Sequence, residues 1–196
     1  MLYRICRRLL RILFALFYRL EAIGMQHVPA EGPVILCANH ISTFDPPLVG
    51  TPLERKVHFM AKAELFQMPI LGWLIPRVGA FPVKRGGVGK ETIKATLQLL
   101  RDGRVLGIFP EGSRKNPSGE GKKGAALFAT RTGAAVVPVS IVGNYKLFRK
   151  MTIIYGPPVD LSEFAEGTSE QLEAATDKIM KTIRIQAEAY KKAARN

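Results

Sequence analysis

An imidazole and a carboxylate stand five residues apart in Ala38-Asn39-His40-Ile41-Ser42-Thr43-Phe44-Asp45-Pro46-Pro47. An alcohol is a poor nucleophile at neutral pH, and a neutral imidazole within hydrogen-bond reach can take its proton as the oxygen attacks a carbonyl. Asp45 suits the partner role: its carboxylate would accept a hydrogen bond from the other ring nitrogen of His40, set the tautomer and stabilise the imidazolium that forms. The substrate would bring the hydroxyl. On one continuous helix the two side chains would point about 140° apart, and Pro46-Pro47 argues against such a helix. They are expected to meet across a tight loop or a first helical turn, if they meet at all. The same residue types also fit a plainer arrangement, a strand-end histidine and a helix cap.

The elements that must position this pair follow from pattern. Pro33-Val34-Ile35-Leu36-Cys37 is a short apolar run bounded by turn residues and reads as a buried strand that ends at His40. Val57 to Lys62, Gly79 to Arg85, Val105 to Phe109, Ala134 to Ile141 and Met151 to Tyr155 read as further strands. Pro138 inside the fifth of these six runs predicts an edge position or a bulge. Between them, Glu64 to Trp73, Lys90 to Arg101 and Ala125 to Arg131 read as helices, and Thr168 to Gln171 has the form of a capping box before a last helix. Leu65, Phe66, Met68, Ile70, Leu71, Trp73, Leu74 and Ile75 are too many for one buried stripe, so pattern alone leaves two readings: part of that helix faces lipid or an acyl chain, or the helix is fully buried and binds no ligand. Strands alternating with helices predict a single α/β domain, with a central mixed, largely parallel sheet flanked by helices.

Cations recur at the strand ends. Lys62 closes one strand, Lys84 and Arg85 another, and Phe109 runs into Pro110-Glu111-Gly112-Ser113-Arg114-Lys115. Open α/β sheets bind ligands at that edge, and converging lysines and arginines suit a phosphate. Gly86-Gly87-Val88-Gly89-Lys90-Glu91-Thr92 resembles a phosphate loop only superficially. Lys84 stands where that loop needs its first glycine and Glu91 where it needs Ser or Thr, so no nucleotide site is expected.

Composition limits the partners. The 196 residues carry 29 Lys and Arg against 16 Asp and Glu, a formal charge of +13. Such an excess points to an anionic partner: a membrane surface, phosphorylated substrates or nucleic acid. No recognition helix or aromatic-basic platform is evident, so nucleic acid is not expected. Cys6 and Cys37, with His27 and His58, have no ligand spacing, so neither a disulfide framework nor a metal site is expected. In residues 1–24, Arg4, Arg7, Arg8 and Arg11 form one helical stripe, with Leu2, Ile5, Leu9, Ile12, Leu13, Leu16, Phe17 and Leu20 on the other sides. The longest uncharged run there, Ile12 to Tyr18, falls far short of the roughly twenty residues that span a bilayer. The expectation is an N-terminal amphipathic helix lying in the interface of an anionic membrane, and a domain over residues 25–196.

These residues together resemble the 1-acyl-glycerol-3-phosphate acyltransferase family. The resemblance runs from Ile35 to Ile141 and rests on four blocks in the family's order: Asn39, His40 and Asp45; Gly79, Phe81 and Arg85; Phe109, Pro110, Glu111, Gly112 and Arg114, with Ser113 in place of threonine; and Val137, Pro138 and Val139. The resemblance implies that His40 is the general base and Asp45 its orienting partner. It implies further that Asn39, Lys62, Gly79, Phe81, Arg85, Glu111, Gly112, Ser113 and Arg114 form the substrate site. No bound cofactor is implied. The acyl donor would be a thioester on coenzyme A or on acyl carrier protein, the acceptor lysophosphatidic acid, and the product phosphatidic acid. The place implied is the cytoplasmic face of the cell membrane. Other lysophospholipids or glycerol 3-phosphate remain alternative acceptors, and a non-catalytic basic membrane-binding module is the alternative from a different class. The oxyanion formed on attack would be met by backbone N–H groups or by Lys62.

Overall fold

The computed structural model describes residues 1–83, 89–112 and 121–194. Helix α1 (Leu2–Tyr18) leads into strand β1 (Glu21–Ile23). Strand β2 (Val34–Ala38) precedes helix α2 (Asp45–Gly50), strand β3 (Val57–Lys62), helix α3 (Pro69–Arg77) and strand β4 (Ala80–Val83). Helix α4 (Lys90–Arg101), strand β5 (Val105–Ile108), helix α5 (Gly124–Thr132), strand β6 (Ala135–Val142), strand β7 (Thr152–Tyr155) and helix α6 (Ser169–Ala193) complete the order.

The seven strands form one sheet in the order β1-β7-β6-β2-β5-β3-β4. β6, β2, β5, β3 and β4 run parallel, β7 is antiparallel to β6, and β1 is parallel to β7. The single α/β domain with a mixed, mostly parallel sheet is the architecture that the alternation of elements predicts. β2 lies near the middle, and all five of its residues are buried, as a parallel strand covered on both faces requires. Successive side chains of a strand point to opposite faces. Val34, Leu36 and Ala38 accordingly join the core shared with Phe14, Leu48 and Val49 of α1 and α2, while Ile35 and Cys37 join the core shared with Leu100, Phe128 and Ile179 of α4, α5 and α6.

Pro138 does not mark an edge. β6 lies between β2 and β7, with Cys37 opposite Pro138 in β2. The strand tolerates the proline because β7 ends at Tyr155: the Pro138 carbonyl accepts from Gly156 N–H at 2.8 Å, and only the reciprocal bond is lost.

The N-terminal segment is helical only through Tyr18. Arg19 takes a left-handed conformation (φ 45°, ψ 48°), and residues 21–23 turn into the sheet, where Glu21 N–H donates to the Met151 carbonyl at 2.9 Å. The arginine row also departs from expectation. Arg7 points inward with Tyr3, Leu10, Phe14 and Tyr18, and its guanidinium donates to the Leu53 carbonyl and pairs with Glu54 at 2.7 Å. Arg4, Arg8 and Arg11 stay at the surface, and Ile5, Leu9, Ile12, Leu13, Leu16 and Phe17 are exposed on the side away from the core. In the next apolar stretch, a short 3-10 turn (Ala63–Gln67) precedes α3, none of whose residues is buried; Ile70 is 79% and Trp73 54% exposed. No helix among the described residues is long and apolar enough to cross a membrane.

Candidate active site

Because five strands run parallel, their C-terminal ends share one edge of the sheet. β2 delivers His40 there, and α2 begins at Asp45 with Pro46 and Pro47 in its first turn, where a missing N–H costs nothing. The loop between them brings the pair into contact: His40 Nδ1 and Asp45 Oδ2 are 2.7 Å apart. Asp45 is fully buried. Oδ2 also accepts from the backbone N–H of Ile41 at 2.6 Å and of Ser42 at 2.7 Å. Its other oxygen, Oδ1, accepts from Tyr145 Oη–H at 2.6 Å.

The imidazole is fixed on its face as well as its edge. Its ring stacks on Phe109 with centroids 4.3 Å apart and planes 25° off parallel, and Phe59 stacks behind Phe109 at 6.0 Å. Gly107 makes that stack possible, since a Cβ there would stand 2.0 Å from the Phe59 ring. α2 is held in turn by Tyr155, whose hydroxyl donates to the Val49 carbonyl at 2.6 Å. An ionised carboxylate only accepts, so His40 donates from Nδ1 and carries its lone pair on Nε2. The His40 side chain is 18% exposed. The arrangement can therefore take a proton from a group arriving at the strand ends.

The other residues that the sequence singled out divide into three groups. The first stands at the same edge. Glu111 Oε2 accepts from His40 N–H at 3.4 Å, tying the end of β5 to the end of β2. Gly112 turns with φ +65°, and a Cβ on it would lie 2.6 Å from Lys122 Cε and 3.1 Å from Lys122 Nζ, so the Lys122 side chain crosses the backbone of this turn. Lys122 N–H donates to the Pro110 carbonyl at 2.7 Å, which fixes that crossing. Its neighbour Lys123 is drawn away to α6, where it pairs with Glu173 at 2.9 Å. Lys62 is the last residue of β3, three positions past Phe59, which pairs with Gly107.

The second group is engaged elsewhere. Asn39 gives both polar atoms of its side chain to Ile141 in β6, donating to the carbonyl at 3.1 Å and accepting from the N–H at 2.7 Å. Gly79 precedes β4 at the opposite end of that strand, with φ +107° and the Lys56, Val57 and His58 atoms within 3.3 Å of the position a Cβ would take. Phe81 packs into the core beneath α4 with Met60, Ile93 and Leu97. The structure thus engages these three residues in the framework around the site: Asn39, directly before His40, with β6, and Gly79 and Phe81 away from His40. The third group, Arg85, Ser113 and Arg114, lies outside the described residues.

Tyr145, Phe109 as a stacking partner, and Lys122 are the site components that sequence reasoning missed. Tyr145 is a hundred residues from Asp45 in the chain and belongs to no local pattern. Its one signal is position: it follows the C-terminal end of β6, at the same edge of the sheet.

Comparison with known proteins agrees with this geometry. Residues 19–142 match the family model described as Acyltransferase. The chain is 31% identical over 190 residues to the 1-acyl-sn-glycerol-3-phosphate acyltransferase of Bacillus subtilis (strain 168), covering 93% of this chain and 96% of that one. It is 34% identical over 152 residues to the protein of the same name from Streptococcus pneumoniae (strain ATCC BAA-255 / R6), covering 74% and 57%. The crystal structure of the 1-acyl-sn-glycerophosphate (LPA) acyltransferase PlsC from Thermotoga maritima superposes with a TM-score of 0.74 at 26% identity, over 96% of this chain and 78% of that one. The chain belongs to the acyltransferase family.

Proposed function

We propose that this protein transfers a fatty acyl group from a thioester to the free sn-2 hydroxyl of 1-acyl-glycerol 3-phosphate, giving phosphatidic acid. The observation that carries the reading is the His40–Asp45 contact at the edge where five strands end, in a chain similar over nearly its whole length to a named acyltransferase of that specificity. His40 Nε2 takes the acceptor's hydroxyl proton as the oxygen attacks the thioester carbonyl. The tetrahedral oxyanion collapses, the C–S bond breaks, and His40 returns the proton to the departing thiolate. Asp45 keeps Nδ1 protonated and stabilises the transient imidazolium.

The two amides that follow His40 both donate to Asp45, so they are not the oxyanion's donors. We assign Lys62, the last residue of β3 at the same edge, as an oxyanion donor. Lys122, held across Gly112 after the end of β5, is a cation suited to the acceptor phosphate, a role we also give to Arg85 and Arg114 on the family resemblance alone. We assign the donor to acyl-CoA or acyl carrier protein.

We further propose that the protein sits peripherally on the cytoplasmic face of an anionic membrane. α1 turns an exposed apolar side away from the core, with Arg4, Arg8 and Arg11 along one margin at the height of headgroups. Lys56 connects this helix to the exposed α3: its Nζ lies 5.5 Å from the Tyr3 ring centroid and 3.2 Å from the Arg77 carbonyl. Leu147 and Phe148 extend the apolar surface, with Phe17 and Phe148 rings 6.3 Å apart.

Product analysis by mass spectrometry tests the reaction. Lysophosphatidic acid with acyl-CoA or acyl carrier protein thioester should give phosphatidic acid; the absence of acylated product from every lysophospholipid and from glycerol 3-phosphate would overturn it.

A further inference from the structure

We infer that Tyr145 is a positioning residue for the reaction, holding the Asp45 carboxylate in the plane that His40 needs. The inference rests on the general-base reading of His40 given above. Asp45 is buried; among the described residues three hydrogen bonds converge on Oδ2, and Tyr145, at 2.6 Å, is the one group that engages Oδ1. Rotation about Cβ–Cγ carries both oxygens off their donors, so the bond from Tyr145 to Oδ1 acts with the three to Oδ2 to hold the carboxylate plane, and it satisfies a buried anionic oxygen.

Tyr145 is itself locked from two sides. Its ring meets Tyr18, the last residue of α1, edge-on at 5.6 Å, and Phe44, the residue before α2, at 6.2 Å. The loop that carries it is pinned to the end of α1: Phe148 N–H donates to the Phe17 carbonyl at 2.6 Å and Met151 N–H to the Tyr18 carbonyl at 2.9 Å. Burial, and then the bond to Asp45, push the phenol well above its usual range, so it stays a donor across the working pH. The ionisable side chains that act on it are Asp45 and Tyr18. Tyr145 needs no contact with substrate for this role; it acts through Asp45, and it ties the geometry of the pair to the seating of α1.

Tyr145→Phe keeps the ring and removes only the hydroxyl. Losing a hydrogen bond to a charged group should lower kcat by about tenfold, with the acceptor KM within about twofold. The acid limb of kcat/KM should move to higher pH, because without the phenolic donor Asp45 presents more negative charge to the imidazolium. In a His40→Ala background the same change should leave the residual rate unaltered, since Tyr145 acts only through the pair. A readout independent of turnover is the Nδ1 proton resonance of His40, assigned by its absence in His40→Ala, which should shift in Tyr145→Phe. A folded Tyr145→Phe protein with wild-type kcat, or with reduced kcat but an unmoved acid limb and resonance, would overturn the assignment. A His40→Ala protein with full rate would overturn the general-base reading instead, while the resonance would still report whether Tyr145 orients the pair.

Discussion

Asn39 and Ile141 exchange two hydrogen bonds, 3.1 Å from the Asn39 amide to the Ile141 carbonyl and 2.7 Å from the Ile141 N–H to the Asn39 side-chain oxygen. The side chain mimics a strand's peptide group and continues the β2–β6 ladder one step past Ala38 and Val139, the last backbone pair. The residue directly before His40 is thereby stapled to the neighbouring strand. Asn39→Ala should leave the Ile141 peptide groups without these partners and lower unfolding stability by about 1–3 kcal/mol. Urea unfolding measures this; unchanged stability with a raised acceptor KM would return Asn39 to the substrate site.

Lys122 lies across the Gly112 turn, whereas Lys123 is held by α6. Lys122→Met should raise KM for lysophosphatidic acid about tenfold and leave kcat little changed, as expected for the loss of one charge-assisted contact to phosphate. Acceptor titrations at fixed thioester check this. A Lys123→Met protein is the control and should match wild type.

His58 is buried in β3, with Nδ1–H donating to the Val105 carbonyl at 3.2 Å. Burial chiefly lowers its pKa, nearby Lys56 and Arg104 add to the effect, and the Val105 bond opposes it. The unfolded chain therefore takes up a proton near pH 6.5 that the folded protein resists. The stability this residue allows is complete above that value and is lost as pH falls through the lower folded value. Thermal unfolding between pH 7.5 and pH 5.5 should show this loss, and His58→Gln should flatten it.

Ile5, Leu9, Ile12 and Leu16 form the middle of the exposed side of α1. Leu9→Ser with Ile12→Ser should weaken partition into anionic vesicles at least tenfold, since burying each such side chain stabilises by roughly 1.5–3 kcal/mol. High salt should weaken it further through Arg4, Arg8 and Arg11. Vesicle sedimentation reads both effects, and equal partition of variant and wild type would contradict the α1 assignment.

The strands and the His40–Asp45 encounter were legible because they depend on local facts: apolar runs of strand length, a proline pair that starts a helix, and a loop too short to keep the two apart. What pattern could not supply was long-range. Pro138 looks like an edge residue until β7 is known to stop beside it. Arg7 looks like part of a surface row until Leu53 and Glu54 are brought beneath it. Gly79 and Phe81 stand in a recognisable block, yet their surroundings, Lys56 and His58 for one and the core under α4 for the other, come from distant elements. Tyr145 reaches Asp45 only because β6 ends beside β2.

The central claim is that His40, oriented by Asp45, is the base that activates the acceptor hydroxyl. The most direct measurement is transfer of a labelled acyl group from its thioester to lysophosphatidic acid by wild type, His40→Ala and Asp45→Asn, with folding of each checked by circular dichroism. The account predicts an active wild type, His40→Ala reduced by about a hundredfold or more and Asp45→Asn strongly impaired. A folded His40→Ala protein with the wild-type rate would contradict it.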